Sequence, residues 1–382
     1  MLFNLDAIFK QINITRREFF KKSSLAFLSL GAFFQEKNLK KKGKTLGEAM
    51  FYKKLEDDKV QCEVCFRQCI ISQGNRGFCR NRENRHGLLY NLVHSKPCAI
   101  QIDPIEKEPS FHNLPGTNIL CFGTASCNFR CKFCQNWHMS QRSIEETQNY
   151  SLSPEETVNL AIRENCPTVS FTYNDPIAFY EYMIDIVKIA KEKGLNTLCH
   201  TNGSLRPAPL RELLKFLDAI TIDLKGSTEH FYRQYSSASL SPVLASLKII
   251  KESGRWLEIV NLVIPTANDN SEDIKKMCLW IKENLGEDVP LHFNRFYPSY
   301  QLTNLPPTPV KTLESCKKIA EEVGIKFIYV GNVPGHKGNS TYCPRCKKLL
   351  ISRFHFSIVK NNLKDSMCKF CNERIPGIWK RA

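Results

Sequence analysis

From about Asn118 onward the chain alternates between short apolar runs and amphipathic stretches. The apolar, β-branched runs fall at Ile119–Phe122, Val169–Thr172, Thr197–His200, Ala219–Leu224, Leu257–Ile264, Leu291–Phe296 and Phe327–Val330. Between them, apolar residues recur at helical spacing over Pro154–Arg163, Ile177–Lys193, Ser241–Glu252, Ser271–Asn284 and Val310–Val323. Ser153 followed by Pro154 is a cap residue and a first-turn proline, which marks one helix start. Strands that are apolar on both faces, separated by helices, predict an α/β fold with a parallel sheet and helices outside it. Six or seven such units make a full or partial (β/α) barrel over residues 116–335. In that architecture the working side chains lie at the carboxyl ends of the strands.

Polar residues collect at those ends. The second strand runs into T-Y-N-D-P (Thr172–Pro176) and the third into H-T-N-G (His200–Gly203). The fourth ends in D-L-K (Asp223–Lys225) and the fifth in N-L-V-I-P (Asn261–Pro265), and the sixth carries H-F-N-R-F (His292–Phe296). One polar strand end is most often a cap or a solvent contact. Five in barrel order mark a site.

The loop after the first strand reads C-N-F-R-C-K-F-C, with Cys127, Cys131 and Cys134 spaced C-x3-C-x2-C. Iron–sulfur clusters are held by thiolates converging from such loops. A four-iron cubane offers four ligand places and this loop fills three, so one iron stays open to a substrate or cofactor, as in catalytic metal sites generally. A zinc knuckle short of one ligand is the plainer alternative, and it leaves the barrel pattern unexplained.

Two further cysteine groups flank this region. Cys62, Cys65, Cys69 and Cys79 are spaced C-x2-C-x3-C-x9-C, with Gly74 and Gly77 where the chain must turn. Spacing alone leaves zinc and a second iron–sulfur cluster open for them, with zinc the nearer expectation. In the tail, Cys343-x2-Cys346 and Cys368-x2-Cys371 form a zinc-ribbon pattern, with Leu349–Phe356 and Phe356–Leu363 as a small hairpin between them. Cys98, Cys121, Cys166, Cys199, Cys278 and Cys316 sit among apolar residues and are expected to be buried, inert thiols.

Composition changes this picture little. The chain has 382 residues, 42% of them hydrophobic, enough for a substantial core. Seventeen cysteines in C-x2-C groups favour metal over a disulfide framework. The formal net charge is +16, but residues 1–54 hold twelve Lys and Arg against four Asp and Glu, so half of the excess is local. A basic zinc-ribbon protein that binds nucleic acid, or a multi-cluster electron carrier, would account for the outer clusters. Neither accounts for three thiols with an open fourth place, and nucleic acid is not an expected partner.

At the amino terminus, Arg16 and Arg17 precede a short apolar stretch, Leu25–Phe34, too short to span a bilayer. The pair resembles a twin-arginine export signal, although no A-x-A cleavage site follows. Export across the cytoplasmic membrane is the expectation, and a cytoplasmic location if the signal is vestigial. The organisation expected is a signal and linker over 1–45, a cysteine-rich segment over 55–115, the barrel, and a zinc-ribbon-like tail over 336–382.

D-P-I-E-K-E-P (Asp103–Pro109), L-P-G-T (Leu114–Thr117), C-N-F-R-C-K-F-C-Q-N-W (Cys127–Trp137), T-Y-N-D-P and Y-V-G-N (Tyr329–Asn332) together resemble the AmmeMemoRadiSam-system radical S-adenosylmethionine enzymes. These are related to the pyruvate formate-lyase activating enzymes, and the resemblance spans roughly residues 55–380. It implies that Cys127, Cys131 and Cys134 hold a 4Fe-4S cluster. It implies that Asn174, Asp175, Thr201 and Asn202 contact S-adenosylmethionine, and that Asp223, Lys225 and His292 join them. The implied reaction is reductive cleavage of S-adenosylmethionine to a 5'-deoxyadenosyl radical that abstracts hydrogen. The electron would come from a donor of flavodoxin or ferredoxin type. The substrate would be a small molecule or a protein, or alternatively a glycine of a partner enzyme. The glycyl-radical activases carry an arginine near the end of the fifth strand, where this chain has Val260 and Asn261.

Overall fold

The computed structural model describes residues 47–380; the arginine pair and apolar stretch near the amino terminus lie outside the described residues. The chain enters through three short antiparallel strands, β1 (Tyr52–Lys54), β2 (Val60–Cys62) and β3 (Ile70–Ile71), and a hairpin of β4 (Arg82–Arg85) and β5 (Leu88–Asn91). The central sheet follows: β6 (Ala99–Pro104), β7 (Asn118–Gly123), β8 (Thr168–Phe171), β9 (Asn196–Thr201), β10 (Ala219–Asp223), β11 (Trp256–Val263), β12 (Leu291–Arg295) and β13 (Ile328–Gly331). Its order is β13-β12-β11-β10-β9-β8-β7-β6. Strands β7 to β13 are parallel, and β6 lies antiparallel on β7. The two end strands do not pair, so the barrel is partial and the full barrel is excluded.

All seven apolar runs are strands of this sheet. Strand β6 was not legible, because its half-exposed sequence A-I-Q-I-D-P covers only an edge and ends in proline. Helices Pro207–Leu214 and Glu229–Ser236 were also missed; at eight residues each they show too few turns of periodicity. The stretch expected as one helix from Ile177 divides into a 3-10 turn, Pro176–Phe179, and a helix, Tyr180–Glu192. Asp175 causes the break: its carboxylate accepts from the Ile177 amide at 3.0 Å, capping the turn ahead of the proline.

The sheet and its helices enclose an aromatic core in which Phe122 meets Phe171 and Tyr182 at centroid distances of 4.9 and 5.6 Å. The amino-terminal segment is tied to this core by a buried ion pair. Arg82 donates to both oxygens of Glu181 at 2.7 Å, and Asn91 Nδ2 and the Met50 amide complete the carboxylate's bonds. The tail adds β14 (Thr341–Tyr342), β15 (Leu349–Phe354), β16 (Ser357–Asn361), β17 (Leu363–Lys364) and β18 (Met367–Cys368). The hairpin expected there is formed by β15 and β16. A second apolar cluster of Phe111, Phe327, Tyr329, Leu350, Ile351 and Ile375 joins this tail to β13. Among the described residues, no helix is long and apolar enough to cross a membrane.

Candidate active site

Parallel register sets the site's frame. Asp223 on β10, Val260 on β11 and His292 on β12 are paired in one row across the sheet. The strand ends and the cysteine loop surround a cavity of about 670 Å³, within the range of small-molecule sites. Cys127, Cys131, Cys134, Asn174, Asp175, Thr201, Asn202, Asp223, Lys225 and His292 all line it. The loops that were scattered in sequence therefore meet at one place.

The cysteine loop is pinned from three sides. The Asn174 amide accepts from the Thr124 N–H at 3.0 Å and donates to the Ser126 carbonyl at 2.5 Å, so this side chain holds the loop in place. The Arg130 and Lys132 amides donate to Ser236 and Tyr235 at the end of helix Glu229–Ser236. Ser299 Oγ donates to the Cys134 carbonyl at 3.2 Å. Gly123, just before the loop, has no room for a side chain: a Cβ there would lie 2.5 Å from the Thr172 carbonyl and 2.8 Å from Asn174 Oδ1. Tyr173 holds a left-handed backbone (φ 69) as the T-Y-N-D-P segment turns under the loop.

The three thiols are unpaired. Burial pushes all three up, Cys131 to about 11, despite the nearby Lys225 ammonium. The Phe129 amide donates to Cys127 Sγ at 3.4 Å, and Ser140 Oγ lies 3.1 Å from Cys134 Sγ. Among the described residues lining the cavity there is no fourth cysteine. The Asn294 Oδ1 is buried without a hydrogen-bond partner, packed against Gly331. Three thiols converging from one loop, with no fourth beside them, suit a four-iron cluster with one iron left to a bound zwitterion.

Asp175 is an organiser. Its two oxygens accept from the Asn202 amide at 2.6 Å, the Ile177 amide at 3.0 Å and Thr201 Oγ at 3.0 and 3.2 Å. Burial pushes its carboxyl up to about 6 against the pull of these donors. Across the cavity, burial disfavours charge on His200. Asp223 and Glu108 more than offset this and raise His200 to about 10. The imidazolium lies 3.2 Å from each carboxylate, and Lys225 Nζ is 2.8 Å from the other oxygen of Asp223. His292 is held differently. Burial lowers it, leaving a neutral ring whose Nε2 donates to Glu258 at 2.7 Å. Glu258 also accepts from the Phe111 and His112 amides and Trp256 Nε1.

Glu108 and Glu258 escaped the reading of strand ends. The signal for Glu258 was a carboxylate in the middle of an otherwise apolar strand. In the tail, Cys343, Cys346, Cys368 and Cys371 hold their sulfurs within 4.8 Å of one another. The Cys343–Cys371 and Cys346–Cys368 separations are 3.6 and 3.7 Å. A tetrahedral ion at zinc–sulfur distances has an edge of about 3.8 Å, so the set is spaced for one ion. Cys62, Cys65, Cys69 and Cys79 surround a different, small void. Of the remaining thiols, Cys121, Cys166, Cys199, Cys278 and Cys316 are buried as expected; Cys98 is partly exposed.

The chain is similar to several known proteins. The Radical SAM superfamily pattern matches residues 122–280, which include the cysteine loop and strand ends β8 to β11. An uncharacterized protein, MJ0808, of Methanocaldococcus jannaschii is 46% identical over 86% of this chain and 98% of its own. The pyruvate formate-lyase-activating enzyme of Clostridium pasteurianum is 26% identical over 44% of this chain and 71% of its own. A crystal structure of a radical SAM methyltransferase from Sphaerobacter thermophilus matches with a TM-score of 0.46 at 16% identity, over 56% of this chain and 66% of its own. The family match, with the activating-enzyme homologues, marks a radical SAM enzyme. The chain belongs to the Radical SAM superfamily, whose members use a 4Fe-4S cluster and S-adenosylmethionine, and it is homologous to the pyruvate formate-lyase activating enzymes.

Proposed function

We propose that Cys127, Cys131 and Cys134 ligate the cluster and that the 670 Å³ cavity holds S-adenosylmethionine beside the substrate. The carrying observation is that three thiols from one loop, six polar candidates from three strand ends and His292 of β12 line a single cavity. The bound cluster and S-adenosylmethionine supply a reductively generated 5'-deoxyadenosyl radical; the protein supplies position and exclusion of water. Asp175 keeps one free acceptor site for the cofactor's ammonium, since three donors occupy a carboxylate with room for about four. Thr201 and Asn202 are fixed beside it by their bonds to Asp175. Lys225, clamped by Asp223, offers a fixed cation for a carboxylate. The neutral His292, stacked on Tyr329, keeps its Nε2–H on Glu258 at the cavity wall.

The substrate we assign is a small molecule or a protein segment that loses hydrogen in this cavity, in the manner of the AmmeMemoRadiSam system. A glycyl-radical activase is the second reading, favoured by the likeness to a pyruvate formate-lyase-activating enzyme. Zinc in the tail follows from its single-ion spacing, and the amino-terminal arginine pair remains the basis for proposing export. Anaerobically reconstituted protein is expected to release 5'-deoxyadenosine slowly without substrate, and Cys131→Ala to release none. Product from that variant at the wild-type rate would overturn the assignment.

A further inference from the structure

Four cysteines that the proposed reaction does not use converge below the cluster loop. Cys62, Cys65, Cys69 and Cys79 line one void of about 20 Å³, together with Val64, Ile71, Ile177 and Ala178. Cys62 and Cys65 are buried and Cys69 and Cys79 half-buried, and none is in a disulfide. In the tail the four sulfurs close to within 4.8 Å of one another. Among the described residues, no three of this amino-terminal set do so. A tetrahedral ion draws its sulfurs to about 3.8 Å and leaves no void among them. A cubane carries one iron at each of four corners and needs its thiolates spread around a central space.

The surroundings also suit an anionic cluster. Buried Arg82 interacts with Cys62 and Cys79, and Arg67 with Cys65, Cys69 and Cys79. Gly77 packs beside this wall: a Cβ there would lie 3.2 Å from Ile71 Cδ1 and in ordinary contact, 3.7 Å, with Cys69 Sγ. Position adds a role. Asn128, adjacent to Cys127, lines this void, and Arg67 Nε donates to its carbonyl at 2.7 Å. Arg67 is also within electrostatic reach of Cys127 itself. The two thiol sets are thus separated by one residue of backbone and one guanidinium.

We infer that Cys62, Cys65, Cys69 and Cys79 hold a second iron–sulfur cluster, in place of the zinc that their spacing suggests, and that it relays electrons to the loop cluster. A low-potential iron–sulfur or flavin protein reduces it by one electron and is itself oxidised by one. The same electron passes to the loop cluster, with no bond made or broken and no proton moved. The relay rests on the reading of Cys127, Cys131 and Cys134 above; the site itself does not.

The test uses the full chain, reconstituted anaerobically with ferrous iron and sulfide. Wild type is expected to hold about eight irons, and Cys127→Ala/Cys131→Ala/Cys134→Ala about four, with a reduced-cluster paramagnetic signal that S-adenosylmethionine does not alter. Cys62→Ser/Cys65→Ser is expected to lose about four irons and keep the signal that S-adenosylmethionine shifts. If that buried pair fails to fold, half-buried Cys69→Ser carries the same comparison. A loop variant with no iron, whether with about two zincs or with only the tail's one, overturns the second cluster and leaves the loop reading intact. A wild-type signal indifferent to S-adenosylmethionine sinks the loop reading instead. For the relay, Cys69→Ser is expected to lower the ratio of flavodoxin-driven to dithionite-driven 5'-deoxyadenosine about tenfold or more. An unchanged ratio removes the relay.

Discussion

Replacing Asp175 by Asn removes a charge while nearly preserving shape, and the structure fixes what should follow. The native carboxyl is pushed from 3.8 up to about 6 by burial. At 1.36 kcal/mol per pH unit, the ionised form is worth about 3 kcal/mol less in the folded protein than in the unfolded chain. Because the folded value is raised, this stability is present below pH ~4 and is lost as pH rises through about 6. Asparagine cannot ionise, but its amide N–H₂ faces the Asn202 or Ile177 N–H, a donor conflict costing about 1–3 kcal/mol at every pH. The informative quantity is therefore the mutant-minus-wild-type stability difference. It should move by about 3 kcal/mol in the mutant's favour between pH 4 and pH 8, read by anaerobic denaturant titration without S-adenosylmethionine. Binding should respond in the opposite sense. An ammonium needs the ionised carboxylate, so wild-type affinity should tighten about tenfold from pH 5 to pH 7. In Asp175→Asn that dependence should flatten and affinity fall about ten- to hundredfold, the worth of one charge-assisted bond. Parallel stability curves, with equal S-adenosylmethionine affinity at pH 7.5 or above, would refute the reasoning.

Other consequences follow from packing and metal geometry. Cys368→Ser should remove about one zinc and open the tail to protease, because its sulfurs are spaced for a single ion; full zinc in the variant would exclude them as ligands. Gly123→Ala should cost about 1–3 kcal/mol and lower cluster retention, because the new methyl meets a strand carbonyl that cannot swing aside; denaturation midpoints and iron counts matching wild type would contradict this. Arg82→Met should cost about 3–5 kcal/mol by leaving Glu181 buried without its partner, and Arg82→Met with Glu181→Leu should recover much of that loss.

The sequence alone determined the repeating unit and the chemistry of its loops. Strands such as Thr168–Phe171 and Trp256–Val263 are buried on both faces, so largely apolar runs disclosed them even though Ser170, Glu258 and Asn261 interrupt the pattern. The cysteine loop was legible because metal ligation demands particular atoms at short chain spacing. What tertiary structure decided is what depends on partners distant in sequence. Strand β6 is a strand only because β7 offers it an edge. The tail is integral to the cavity wall because Ile378 pairs with Asn113 and Arg353 donates to the Phe111 carbonyl, contacts that no local pattern encodes. Asn174 and Asp175 looked alike as polar neighbours at one strand end, yet one secures the cysteine loop and the other joins two strand ends. The charge on His200 and its absence on His292 were likewise invisible in the chain. They depend on whether two carboxylates or one already saturated carboxylate faces each ring after folding.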